Sequence, residues 1–127
     1  MRNDKKNVIV DLTLQFSLKI IYYCEELESK KKYIIARQLL KSGTSIGANV
    51  REAQNAESKA DFIHKLKISA KEADETEYWL TLCKLSENYP FKEEFLIDLN
   101  SIIKVLSKII SSSKTNNLNK NQFKFSN

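Results

Sequence analysis

Apolar or small residues recur in pairs at three-to-four spacing from early in the chain: Ile9/Val10, Thr13/Leu14, Phe16/Ser17, Ile20/Ile21, Tyr23/Cys24, then Leu27. That period predicts a first helix over residues 7–28, with a stripe wider than one neighbour requires. After the charged connection Ser29-Lys30-Lys31-Lys32, a second helix is predicted over 33–56. Its core face carries Ile35, Leu39, Ser42, Ile46, Asn49 and Ala53. Ser58 and Asp61 stand where the N-cap and N3 positions of a third helix belong. The core stripe of that helix is Phe62, Leu66, Ser69, Ala73, Thr76, Leu80 and Cys83. Asn88-Tyr89-Pro90 breaks the period, and Pro90 suits the first position of a fourth helix. Phe95, Leu99, Ile102, Leu106 and Ile109 form the fourth seam. Four long helices with short connections predict an all-α, antiparallel up-down-up-down four-helix bundle.

The second helix holds both glycines of the chain, Gly43 and Gly47. A glycine inside a helix costs about 1 kcal/mol relative to alanine, so a close backbone approach is expected there. The middle of the third helix is small, at Ser69, Ala73 and Thr76, and is the expected partner of the two glycines. The opposite face of the second helix carries Arg37, Lys41, Thr44, Ala48 and Arg51.

Composition narrows the class. A chain of 127 residues makes one domain with a sizeable core. Residues 1–112 read as the bundle, and 113–127 as a polar basic tail expected to be disordered. Cys24 and Cys83 have no CxxC spacing and read as buried free thiols of a reducing compartment. With no leader and no apolar run of about 18 residues, a cytoplasmic protein without a membrane role is expected.

The net charge of +5 is unevenly placed. Residues 1–98 carry 16 basic and 16 acidic side chains, so Lys104, Lys108, Lys114, Lys120 and Lys124 supply the whole excess. A second stretch, 29–51, has no acid and holds Lys30, Lys31, Lys32, Arg37, Lys41 and Arg51. Such a stretch is either a solvated face or a set of phosphate contacts. No module that reads bases is visible, so any recognition of nucleic acid should follow shape and charge.

Catalytic chemistry finds little support. A dinuclear carboxylate centre in a bundle needs several inward Glu and His ligands. Here His64 is the one histidine, and Asp61-Phe-Ile-His64 coincides with the helix cap. Glu72, Asp74, Glu75 and Glu77 point around the third helix rather than into a pocket. There is no GxSxG elbow, and no Gly-Lys-Ser/Thr follows Gly43 or Gly47. A non-enzyme without metal or cofactor is expected. Tyr78, Trp79 and Leu80 span about 200° of helical arc, so one seam cannot bury all three. Tyr78 or Trp79 is either an edge aromatic or part of a subunit interface.

The run Gln38-Leu-Leu-Lys-Ser-Gly-Thr-Ser-Ile-Gly-Ala-Asn-Val50, with Glu52, then Ser58-Lys-Ala-Asp-Phe-Ile-His-Lys-Leu66 and Glu72-Ala-Asp-Glu-Thr-Glu-Tyr-Trp-Leu80, resembles the bacterial four helix bundle protein family. Its members include proteins encoded in intervening sequences of large-subunit rRNA genes, and the accessory variability determinant of diversity-generating retroelements is similar. The resemblance runs over about 10–110. It implies a homopentameric ring with a basic surface and, for the retroelement branch, binding of RNA and of a reverse transcriptase. Gly47 stands where the family often has proline. The expectation is a self-associating bundle that binds structured RNA through Lys30, Lys31, Lys32, Arg37, Lys41 and Arg51. The alternative is a protein–protein scaffold that docks a partner enzyme such as a reverse transcriptase.

Overall fold

A computed structural model describes residues 7–126, with side chains described through residue 115. These residues form four helices and no strand: α1 (Val8–Ser29), α2 (Tyr33–Ala53), α3 (Lys59–Leu85) and α4 (Glu94–Ser126). Each helix packs against two others around one core: α1 on α2 and α4, α3 on α2 and α4. Asn7 caps α1 by accepting from the Val10 amide, and its own amide donates to Gln54 Oε1 at 2.9 Å beside the end of α2. Ser58 caps α3, accepting from the Asp61 amide at 3.0 Å.

The buried stripes of α3 and α4 follow the expected period, except that Phe62 and Ile109 at their ends are half-buried. Leu66, Ser69, Ala73, Thr76, Leu80 and Cys83 are buried on α3, and Phe95, Leu99, Ile102 and Leu106 on α4. On α2 the buried arc is Ala36, Leu39, Ser42, Gly43, Ile46, Val50 and Ala53, so Ile35 and Asn49 move to its half-buried edges. The reason is that α2 has two neighbours, and the centre of its buried arc faces between them. The glycines look one way: a Cβ on Gly43 would lie 2.9 Å from Ile20 Cγ2, and one on Gly47 would lie 3.3 Å from Thr13, both on α1. The α3 stripe meets the other side instead. Ser69 Oγ donates to the Ile46 carbonyl at 2.8 Å, and Thr76 Oγ1 donates to Ser42 Oγ at 2.9 Å. Close packing at Gly43 and Gly47 therefore serves α1, not the small stripe of Ser69 and Ala73.

Pro90 does not begin α4, which starts at Glu94. Tyr23 takes the Pro90 carbonyl with a 2.6 Å hydrogen bond, and its ring lies 4.6 Å from Phe95 and 6.5 Å from Phe91. That aromatic cluster holds the α3–α4 connection extended where a helix would have claimed the same carbonyl. At the far end, no glycine or proline follows to stop α4, and its helical backbone continues to Ser126. The side chains that make up most of the expected basic tail lie outside the described residues.

Cys24 and Cys83 are both buried and free. Burial first, and the Cys83 thiol second, push Cys24 up to about 12 from the ordinary 9.0. Among the described residues no Cα of α1 comes within 8 Å of a Cα of α3, whereas a disulfide needs at most about 7 Å. Neither thiol is expected to react with a thiol-specific reagent until the protein is unfolded, which a titration with and without denaturant checks. The unfolded Cys24 thiol ionises near its ordinary value while the native one keeps its proton, so the native state binds more protons at alkaline pH. Stability should fall as pH rises from about 9 towards 12.

Candidate nucleic-acid interface

The turn between α1 and α2 is where the basic stretch begins. Nothing in its sequence is glycine, yet α1 ends in the manner that glycine usually serves. The Lys32 amide donates to the Leu27 carbonyl at 2.9 Å and the Lys31 amide to Glu28 at 2.8 Å. This pair of bonds is the Schellman motif, and its left-handed residue is Lys31, at φ 65°. A non-glycine residue pays about 1 kcal/mol for that conformation. The result exposes Lys30 and Lys31 at one end of the molecule, with Lys32 half-buried beside them. Lys32 Nζ stands 4.9 Å from the centroid of the Tyr89 ring, a cation–π contact that fixes its ammonium at this end.

The next element adds charge of the same sign. Lys32 is the N-cap of α2 but makes no side-chain cap bond, and α2 has no acid in its first turn. An uncapped N-terminus carries roughly half a positive charge and presents amide donors to an anion. Arg37 and Lys41 follow on the exposed face, one and two turns further along. Arg51 shares that face but lies about 21 Å beyond Arg37 along the helix axis. The structure thus gathers Lys30, Lys31, Lys32, Arg37 and Lys41 into one half of the molecule and leaves Arg51 apart.

Ion pairs occupy three lysines outside this set, while others, such as Lys71 and Lys104, are as unpaired as the candidates among the described residues. Lys19 pairs with Asp98 at 2.7 Å and Glu94 at 3.1 Å, Lys65 with Glu52 at 2.9 Å, and Lys84 with Glu93 at 3.0 Å. The two α4 carboxylates hold the Lys19 amine above the ordinary lysine range, Asp98 contributing most. Among the described residues, none of the six candidate cations has such a partner. One cationic pair escaped the sequence reading: Lys67 of α3 sits beside Lys114 of α4 and holds the Lys114 amine below the ordinary lysine range. The acid-free run after Asp98 signals half of this pair, but nothing in the sequence brings Lys67 to it.

The aromatic candidates on α3 divide as well. Tyr78 is 59% exposed, while Trp79 is half-buried and donates from Nε1 to Glu75 Oε2 at 3.1 Å. Among the described residues no three His, Cys, Asp or Glu side chains gather as a metal ion would need, and His64 is exposed on α3. No helix among the described residues is long and apolar enough to cross a membrane.

Comparison with known proteins bears on most of the chain. A solved structure at 1.70 Å, from Bacteroides thetaiotaomicron, is that of a protein with unknown function from the S23 ribosomal protein family. It is 45% identical, superposes with a TM-score of 0.77, and the match covers 83% of this chain and 96% of that one. No curated protein matches the chain. The model of the 23S rRNA-intervening sequence proteins matches residues 5–112, and the chain belongs to that family.

Proposed function

We propose that this protein is a non-enzymatic, cytoplasmic, self-associating antiparallel four-helix bundle that binds structured RNA through the lysine turn and the first half of α2. The observation that carries the reading is the set Lys30, Lys31, Lys32, Arg37 and Lys41. They run without an intervening acid from the turn before an uncapped helix N-terminus to two turns beyond it, and none has an ion-pair partner among the described residues. Lys31 adds weight, because a charged residue stands in a left-handed position that glycine would occupy at lower cost. Phosphate groups satisfy such an array by releasing counterions, without reading bases.

The up-down-up-down arrangement is supported by the order of contacts. Going up α1, Asn7, Thr13 and Ile20 meet Gln54, Gly47 and Gly43 going down α2. Going up α2, Ser42, Ile46 and Glu52 meet Thr76, Ser69 and Lys65 going down α3. A ring of five subunits is the assembly that the family resemblance implies, and it would present the basic turn five times on one particle.

A gel-shift assay with structured RNA tests the function. Retardation by the natural protein, weakened in Lys30→Glu with Lys31→Glu, supports it; no retardation at low salt contradicts it. Capture of a partner protein that survives nuclease treatment, with no RNA retardation, would favour a scaffold. Lys31→Gly is a sharper probe, since it relieves the left-handed strain while deleting one charge. It should raise stability by up to about 1 kcal/mol in urea unfolding and lower RNA affinity in the same preparation.

A further inference from the structure

One groove and one exposed ring match each other across two copies of the chain. The groove lies between α1 and α2, has a volume of about 150 Å³, and is lined by Val10, Thr13, Leu14, Gly47 and Ala48, with Arg51 its one charged side chain. Gly47 deepens it, because a Cβ there would press on Thr13 at 3.3 Å. An apolar cavity of about 150 Å³ holds a benzene ring, so the groove has the capacity for one aromatic side chain. Apolar surface continues around it: Leu14 is 47% exposed, and Leu18 and Leu40 are each 40% exposed at positions that share its face.

The complementary feature is on α3. Tyr78 projects with 59% exposure, its ring edge-on to Trp79 at 5.3 Å. Asp74 and Glu75, four and three residues earlier, stand on the same helical face and are exposed. Neither carboxylate has an ion-pair partner among the described residues, and neither does Arg51. An aromatic knob flanked by acids thus corresponds in size and charge to an apolar groove flanked by an arginine.

We infer that Tyr78 of one copy seats in the α1–α2 groove of the next, where Arg51 pairs with Asp74 and Glu75 of the incoming helix. This rests on the self-association proposed above and supplies its contact surfaces. Because the two surfaces differ, the contact is heterologous and propagates head to tail until it closes into a ring. It also gives Arg51 a role separate from the lysine turn.

Light scattering on the full chain tests the contact with two variants whose altered side chains lie at the surface, Tyr78→Ala and Ala48→Trp. The first removes the knob, and the second fills the groove from its own helix. Thermal melts establish that both remain folded. The natural protein is expected to be oligomeric and each variant to fall to the mass of one chain. Mixed in equal amounts, the variants should form a dimer and nothing larger, since one intact knob and one intact groove remain. Arg51→Glu should also dissociate, and adding Glu75→Arg should restore assembly. An oligomeric natural protein whose variants keep its mass, or whose variants fail to pair when mixed, overturns this contact and leaves self-association standing. A monomeric natural protein overturns both.

Discussion

Gly43→Val is expected to be a highly damaging substitution in the buried arc of α2, lowering stability by about 3 kcal/mol, the upper end of the usual overpacking range. Even a bare Cβ at this position falls 2.9 Å from Ile20 Cγ2, and Ile20 is fully buried, with a β-branched side chain that has nowhere to swing. Alanine at the same site regains about 1 kcal/mol of helix propensity, so Gly43→Ala should lose only part as much. Gly47→Ala is milder, because its nearest contacts with Thr13 are 3.3 Å away, and the propensity gain should leave it near neutral. The order Gly43→Val, Gly43→Ala, Gly47→Ala in urea midpoints checks the account, and a Gly43→Ala midpoint above the natural one would contradict it. A loss of this size is a large part of the roughly 5–15 kcal/mol that holds a domain folded.

The second large effect is on binding. Arg37→Glu with Lys41→Glu should weaken binding of structured RNA by at least about a hundredfold at low salt, since each of the two charge-assisted contacts is worth about 1.5–3 kcal/mol. Both side chains are exposed and unpaired among the described residues, so urea unfolding should move little. Lys19→Gln is the control at a paired lysine. Its ammonium is already neutralised by Asp98 and Glu94, so RNA affinity should hold. A loss per unit of charge in the control, which changes one unit, equal to that in the double variant, which changes four, would mean that net charge, rather than this face, governs affinity.

Much of the fold is legible in the pattern of apolar residues. Helices α1 and α3 follow from three-to-four spacing and the Ser58 cap, and the core stripe of α3 is the one read from the sequence except at Phe62, which is half-buried. What escapes reading is rotation and partner choice. Ile35 and Asn49 look like core by spacing, but α2 touches two helices, and Ala36, Gly43 and Val50 fill the arc between them. The small residues of α2 and α3 look mutually complementary, yet Gly43 and Gly47 serve α1 because Ile20 and Thr13 reach them first. The delayed start of α4 depends on Tyr23, 67 residues earlier in the chain, whose hydroxyl takes the Pro90 carbonyl.

The candidate site is legible as a composition but not as a shape. The acid-free stretch names six cations; only the fold shows that five share one half of the molecule and that Arg51 stands apart on a groove. The left-handed Lys31 has no signal in a chain that places no glycine there. The breadth of the α1 stripe, by contrast, is a signal. Leu14, within that stripe, remains 47% exposed after α2 and α4 have taken their share.

The central claim is that phosphate neutralisation by the lysine turn drives binding, and fluorescence anisotropy of a labelled structured RNA across a salt series measures it directly. With about 0.9 counterions released per contact, five contacts from one chain predict a slope of log affinity against log salt of about −4 to −5. The slope should shrink by about 2 in Arg37→Glu with Lys41→Glu. Binding whose affinity does not change with salt, or whose slope is the same in that variant, would contradict the account.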